Sequence, residues 1–202
     1  MDARLRQLER LLRNGDPALL RERLRAGMVS PDDLWLAAHL GHPGARELLG
    51  EEAPPAREEL RCWVDDLERR GLAERVAIAA AEAALPVYLS GKPTDARPAE
   101  ALSAARAMRD ARARRAPVPN ELDPFARFIA ALKAAEEVGA GPAHWAAMAS
   151  HWAVGATLEP AEHDRFLWAA IDAAVRALGS ESEVRAAIAL ALLPEGLRDL
   201  AA

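Results

Sequence analysis

Few residues in this chain have the type and spacing to do chemistry. Asp95 and Arg97 sit two positions apart in a proline-bracketed joint, Lys92-Pro93-Thr94-Asp95-Ala96-Arg97-Pro98-Ala99-Glu100-Ala101. An oxygen-bearing side chain just ahead of a helix accepts hydrogen bonds from its free N–H groups at the positive end of the dipole, so Thr94 or Asp95 caps a helix starting near Pro98. Arg97 then pairs with Asp95 or reaches across to another segment. Capping accounts for most of the joint, and contact with a partner is the other role open to it. A second group of charges, Glu58, Glu59, Asp65, Asp66 and Glu68, occupies the surface left over by a stripe of Leu60, Trp63, Val64 and Leu67. Such an acidic face suits a basic target, because complementary charge speeds encounter and selects the partner.

The histidines point away from a metal centre. His144 and His151 are seven residues apart, whereas helical metal ligands are usually placed four apart, and His163-Asp164 begins a different helix. No cysteine lies in range, so no metal is expected, and His144 and His151 read as core or interface groups beside Trp145 and Trp152. Enzyme signatures are missing too. There is no phosphate-cradling glycine loop and no G-x-S-x-G; Cys62 lies between Arg61 and Trp63 with no histidine close in sequence; Glu162-His163 lacks the repeated Glu-x-x-His spacing of di-iron bundles. Neither catalysis nor a cofactor is expected. Trp63, Trp145, Trp152 and Trp168 fall at buried-stripe positions and read as core. Arg106, Arg109, Arg112, Arg114 and Arg115 read as solvated charge near a helix C-terminus, since no stacking aromatics interleave with them as single-strand binders need.

The elements that must position these groups are helices. Of 202 residues 51% are hydrophobic but only 4% aromatic, so alanine and leucine carry the apolar content, favouring closely packed helices over a sheet. The net charge of −5 is mixed in sign and argues against a protein that coats nucleic acid. A single cysteine forms no internal disulfide and fits a reducing compartment. No cleavable leader precedes Met1-Asp2-Ala3-Arg4, and no apolar run is long enough to span a membrane, so a cytoplasmic protein is expected.

Proline and glycine punctuate the helices legibly. Leu5, Leu8 and Leu12 stripe a first helix ended by Asn14-Gly15. Asp16-Pro17 opens a second, Ser30-Pro31 a third, and Pro43 a short fourth ending at Leu49-Gly50. Glu51-Glu52-Ala53-Pro54-Pro55 is the linker candidate, separating residues 1–50 from a main body over 55–202. Beyond the Leu60–Leu67 stripe a helix from Leu72 is expected to kink or stop at Pro86. After the joint, helices run from Pro98 to Arg115, from Asp123-Pro124 with Phe125, Phe128, Ile129 and Leu132 on its buried face, from Gly141-Pro142 with Trp145, Met148 and Trp152, and from Glu159-Pro160 with Leu167, Ile171, Ala174 and Leu178. Ser180-Glu181-Ser182-Glu183 is a capping box opening the last, with Val184, Ile188 and Leu192. The fold class is therefore all-α, a bundle of about ten helices.

Two stretches resemble known families. Gly15-Asp16-Pro17 through Leu48-Leu49, containing Leu34-Trp35-Leu36-Ala37-Ala38-His39-Leu40-Gly41-His42, resembles a single ankyrin repeat. Such repeats stack about three together to bury their faces, so this one is expected as an ankyrin-like hairpin attached to something else. Leu85-Pro86 followed by Asp95-Ala96-Arg97-Pro98-Ala99-Glu100-Ala101-Leu102-Ser103-Ala104-Ala105-Arg106 resembles the immunity proteins of bacterial toxin systems, in which a D-x-R-P-x-x-A-[IL]-x-A-x-[RE] turn joins two helices. The likeness spans Trp63 to Trp152 and departs at Ala99, where those proteins often carry arginine. It implies an all-α protein that binds and neutralises a cognate toxin without catalysis, with Asp95, Arg97, Glu58, Glu59, Asp65 and Asp66 as contact candidates. The alternative is a helical scaffold or regulator that self-associates through alanine-rich faces into a homo-oligomer.

Overall fold

The computed structural model describes residue 6 and residues 16–119, 122–193 and 197. The stripe of Leu5, Leu8 and Leu12 and its end at Asn14-Gly15 lie outside the described residues. Among those described there are ten α-helices and no strand, an all-α fold. No described helix is long and apolar enough to cross a membrane.

The chain divides into two compact units, residues 1–63 with 189–202, and residues 64–188. In the first unit, α1 (Pro17–Arg25), α2 (Pro31–His39) and α3 (Pro43–Leu49) each have proline in the first turn and a side chain on the preceding residue that takes a free N–H. Asp16 accepts from Ala18 at 2.8 Å, Ser30 and Asp33 form a reciprocal capping box, and His42 Nδ1 accepts from Ala45 at 3.3 Å. Leu20, Leu34, Ala37, Ala38 and Ala45 are buried between these helices. Arg46 fixes the strap that follows, donating to the carbonyl of Pro54 at 2.9 Å. The indole of Trp63 is 1% exposed and donates to the His39 carbonyl at 3.2 Å, while His39 Nε2 donates back to the Trp63 carbonyl at 3.0 Å. The His39 ring stacks between Trp35 and Trp63, with centroids 5.0 and 5.7 Å away.

Two helices cross the unit boundaries in sequence: α4 (Leu60–Arg69) and α10 (Glu181–Leu192). On α4 the predicted stripe is buried at Leu60, Trp63, Val64 and Leu67, and on α10 at Val184, Ile188 and Leu192. Ser180 accepts the N–H of Glu183 at 3.2 Å and so caps α10.

The second unit is built around α8 (Pro142–Leu158), which packs against α5 (Ala73–Gly91), α6 (Arg97–Arg114), α7 (Pro124–Val138) and α9 (His163–Leu178). A helix packed against four others needs little polar surface, and α8 buries Ala146, Ala147, Ala149, Ala153, Val154 and Ala156. Its buried hydroxyls bond within the helix, Ser150 to the Ala146 carbonyl at 3.4 Å and Thr157 to that of Val154 at 2.8 Å. Gly155 gives the closest approach: a Cβ there would stand 2.8 Å from Cδ1 of Phe166 on α9.

Three sequence expectations are corrected. Of the kink or stop expected at Pro86, the stop does not occur, and helix α5 runs on to Gly91. Pro86 is exposed, and Glu82, whose carbonyl loses an N–H to the proline, lies one turn back on the same partly exposed flank, where that carbonyl is not confined to an apolar core. On α7 the buried residues are Ala131, Ala134 and Ala135, while Phe128, Ile129 and Leu132 are only partly covered and Phe125 is 64% exposed. Of the four tryptophans expected in the core only Trp63 is fully buried; Trp145, Trp152 and Trp168 are partly exposed. Helices packed through alanine leave no room for an indole between them, so the large rings stay at the rim.

Gly155→Leu tests this packing. Leucine is a far better helix former than glycine, so any loss reports the crowding alone. Overpacking of this kind costs about 1–3 kcal/mol. Thermal unfolding followed by circular dichroism should show a clear fall in Tm; an unchanged or raised Tm would mean α9 does not approach so closely.

Candidate functional site

The joint between α5 and α6 folds because its local bonds are self-contained. Lys92 closes α5, Asp95 N–H bonds the Lys92 carbonyl at 3.2 Å, and Asp95 Oδ1 accepts the N–H of Arg97, the first residue of α6, at 3.1 Å. Ala96 is the N-cap residue and has no capping side chain, so the first free N–H of α6 is met by Asp95 from one residue further back. The Arg97 guanidinium forks onto the same carboxylate, Nε to Oδ1 at 2.9 Å and Nη2 to Oδ2 at 2.7 Å. Its other edge donates to Glu137 near the end of α7, with Nη1 2.9 Å from Oε1. From α5 the hydroxyl of Tyr88, whose ring is fully buried, donates to Asp95 Oδ2. Four side chains thus tie three helices through the Asp95–Arg97 pair.

The charges tune one another. The Arg97 guanidinium beside Asp95 holds its carboxyl well below the usual carboxylate range, helped by the Tyr88 hydroxyl. Burial, and then the neighbouring Asp95 carboxylate, push the Tyr88 phenol up to about 12. Glu137 is lowered by Arg97. A bidentate arginine–carboxylate pair that also takes a phenol donor and a backbone N–H is spent on internal bonds. Asp95 and Arg97 work as a clasp.

The arginine face of α6 is exposed at Arg106, Arg112, Arg114 and Arg115, as a solvated charged face should be, and it also makes ion pairs. Arg106 pairs with Glu82 on α5, and Arg112 pairs with Glu74 on α5 and donates to the Thr157 carbonyl of α8 at 2.7 Å. Arg109 lies against Asp110, at 2.6 Å. From α7, Arg127 returns to Glu100 of α6.

The acidic candidates do not form one face. Glu58 and Glu59 are exposed ahead of α4, Asp65 is half-buried, and Asp66 is buried and pairs with Arg69 one turn on. Asp66 follows Trp63 by three residues, so it flanks the apolar stripe and is covered with it. It is withdrawn from the exposed set.

Two groupings escaped the sequence. The first is aromatic. All three phenylalanines of the chain gather with Trp152 and His151 on α7, α8 and α9. Phe128 stacks on His151 at 3.8 Å and meets the edge of Phe166 at 6.5 Å; Phe166 stacks on Trp152 at 5.7 Å; Phe125 stacks on Phe128 at 6.4 Å. His151 is buried, its Nδ1–H donating to the Phe128 carbonyl at 2.9 Å, and burial pushes its imidazole below the ordinary value. Phe128, Trp152 and Phe166 are partly exposed and Phe125 mostly so, making a surface of rings on a rigid base. His144 takes no part in this; its Nδ1–H donates to the Ala135 carbonyl at 2.9 Å, and Trp145 carries the Arg176 guanidinium 4.4 Å above its ring. The two histidines considered as ligands are thus each committed to a different carbonyl of α7.

The second grouping brings Glu68, at the end of α4, to His163 and Asp164, which open α9. His163 Nε2 lies 2.8 Å from Asp164 Oδ1 and 3.3 Å from Glu68 Oε1. Glu68 is raised, first by its hydrogen bond to the Asp164 carboxylate and then by burial, while Asp164 is lowered by the same bond. A cavity of about 180 Å³ opens beside them, lined by Glu68, Gly71, Ala73, Glu74 and His163.

Arg97→Ala leaves the Asp95 carboxylate and Tyr88 hydroxyl without their cation and should lower stability by about 1 kcal/mol or more, read from urea midpoints. The pH signature has two limbs. Asp95, depressed in the fold, stabilises above its unfolded pKa of about 4 and loses that contribution as pH falls through its folded value; Tyr88, raised to about 12, stabilises below its unfolded pKa of about 10 and loses it as pH rises through about 12. Asp95→Asn should flatten the acid limb, and a midpoint profile identical to the parent's would refute the clasp. Comparison of the chain with family models, with curated proteins and with solved structures finds no match in any of the three.

Proposed function

We propose that this protein is a cytoplasmic interaction protein of the bacterial immunity kind, which binds a cognate toxin and neutralises it by covering its surface, without catalysis of its own. The observation that carries the reading is the partly exposed aromatic cluster. A chain with only three phenylalanines places all of them, with Trp152, on one surface, and Phe125 stands 64% exposed beside it. Aromatic rings set on a rigid base lose little conformational entropy on binding and supply the large contact area on which interface hot spots depend.

Further support comes from the sequence pattern. The Asp95-x-Arg97-Pro98 turn resembles that of immunity proteins, and the clasp gives it a physical role in holding α5, α6 and α7 as a fixed platform. Glu58 and Glu59 are exposed and Asp65 partly so, supplying negative charge for approach to a basic toxin. The ankyrin-like reading of the helices before Gly50 belongs to the same picture, a helical hairpin used for contact.

The test is co-expression with the product of the adjacent gene. The parent protein should co-purify as a stable complex. Phe125→Ser should keep the parent's Tm, because the ring is mostly in water, and weaken binding about thirtyfold, the effect of one hot-spot residue worth about 2 kcal/mol. A neighbour that is no toxin and does not co-purify sinks the reading. Light scattering that shows a homo-oligomer dispersed by Phe125→Ser would assign the same surface to self-association instead.

A further inference from the structure

We propose that Glu68, His163 and Asp164 form a binding site for a divalent transition-metal ion, zinc being the best fit. The donor set is one imidazole nitrogen and two carboxylate oxygens. Imidazole favours zinc and its first-row neighbours over magnesium and calcium, and three protein ligands with one position left open is the composition of an exchangeable zinc site.

The spacing agrees with the donor set. One ligand atom from each residue lies within 4.8 Å of the other two, with His163 Nε2 at 2.8 Å from Asp164 and 3.3 Å from Glu68. A tetrahedral ion with bonds near 2.1 Å holds its ligand atoms about 3.4 Å apart. Two of the three edges are already that short, and the third closes by rotation of Asp164, whose side chain is mostly in water. The backbone on both sides is fixed. Gly71 ends α4 with its N–H on the Glu68 carbonyl at 2.8 Å, and His163-Asp164 follow directly on a 3-10 turn, Pro160–Glu162, whose last N–H bonds the Glu159 carbonyl at 2.9 Å.

The cavity completes the argument. Its volume of about 180 Å³ holds several waters at about 30 Å³ each, enough for the remaining coordination positions. Glu74 also lines it, but its carboxylate is engaged by Arg112, which keeps a third negative charge from the ion's first shell. His163 Nε2 lies between the two carboxyl groups, 2.8 Å from Asp164 and 3.3 Å from Glu68, so all three donors already face one point. This site is independent of the toxin-binding reading, and neither outcome for one decides the other.

Calorimetric titration of the chelator-stripped full chain with zinc chloride, with manganese and magnesium chloride in parallel, tests it. Zinc is expected to bind one per chain and to raise Tm. Glu68→Gln, which keeps the side-chain shape, and His163→Ala should each weaken zinc by at least about tenfold and abolish the Tm shift, with helical circular dichroism retained. Asp172→Asn, an exposed acid elsewhere on α9 that pairs with Arg176, should bind as the parent does. The site is overturned if the parent binds no zinc at millimolar concentration, if binding survives both Glu68→Gln and His163→Ala, or if magnesium binds as tightly as zinc.

Discussion

The close approach of α8 to its four neighbours is the constraint on which the larger unit depends. Ala146, Ala147, Ala149, Ala153 and Ala156 are fully buried, and Gly155 meets the ring of Phe166 with no space for even one more carbon. Alanine loses no side-chain entropy when buried and lets backbones come near, so dispersion contacts build up along the whole helix instead of at a few large side chains. The same choice dictates where the large rings go. Three of the five tryptophans are Trp145, Trp152 and Trp168 in this unit, and all are left at its rim. The aromatic surface is thus a consequence of the packing beneath it, with Gly155 admitting Phe166 and His151 supporting Phe128.

Charge does a different job. Arg97, Arg106, Arg112 and Arg127 each reach from α6 or α7 to a neighbouring helix, and most of these pairs are partly open to water. Pairs of that kind add at most about 1 kcal/mol each, so the burial of apolar surface, not these bridges, drives association of the helices. Alanine rows are featureless, and many registers would bury similar area. Bridges between fixed positions choose one. The Asp95 clasp is the strongest because one carboxylate collects a bidentate guanidinium, a phenol and a backbone N–H.

The helix ends were legible in the sequence because their chemistry is local. Asp16, Ser30, Asp123 and Ser180 cap helices as their positions indicate, and the α4 and α10 stripes are buried as their spacing requires. What escaped was set by neighbours. Pro86 sits inside a helix because its flank faces water; Phe125 is exposed because α7 buries its alanines; Asp66 is covered because the contact on α4 is wider than its apolar stripe. Glu68 and His163 are far apart in sequence, and neither carries a local spacing signal, so their meeting is a property of the fold alone. Periodicity favoured phenylalanine over alanine as the marker of a core face, and in an alanine-packed protein that weighting points the wrong way.

Function in this account resides in what the alanine packing pushes outward. Under the proposed function, the partly exposed surface of Phe125, Phe128, Trp152 and Phe166 is where a partner would bind. The most direct measurement is a hydroxyl-radical footprint, read by mass spectrometry, of the protein alone and in complex with the product of its adjacent gene. The account predicts strong protection at Phe125, Phe128, Trp152 and Phe166 on complex formation, with Tyr88 unchanged. Protection confined to other residues, with those four rings labelled as in the free protein, would contradict it.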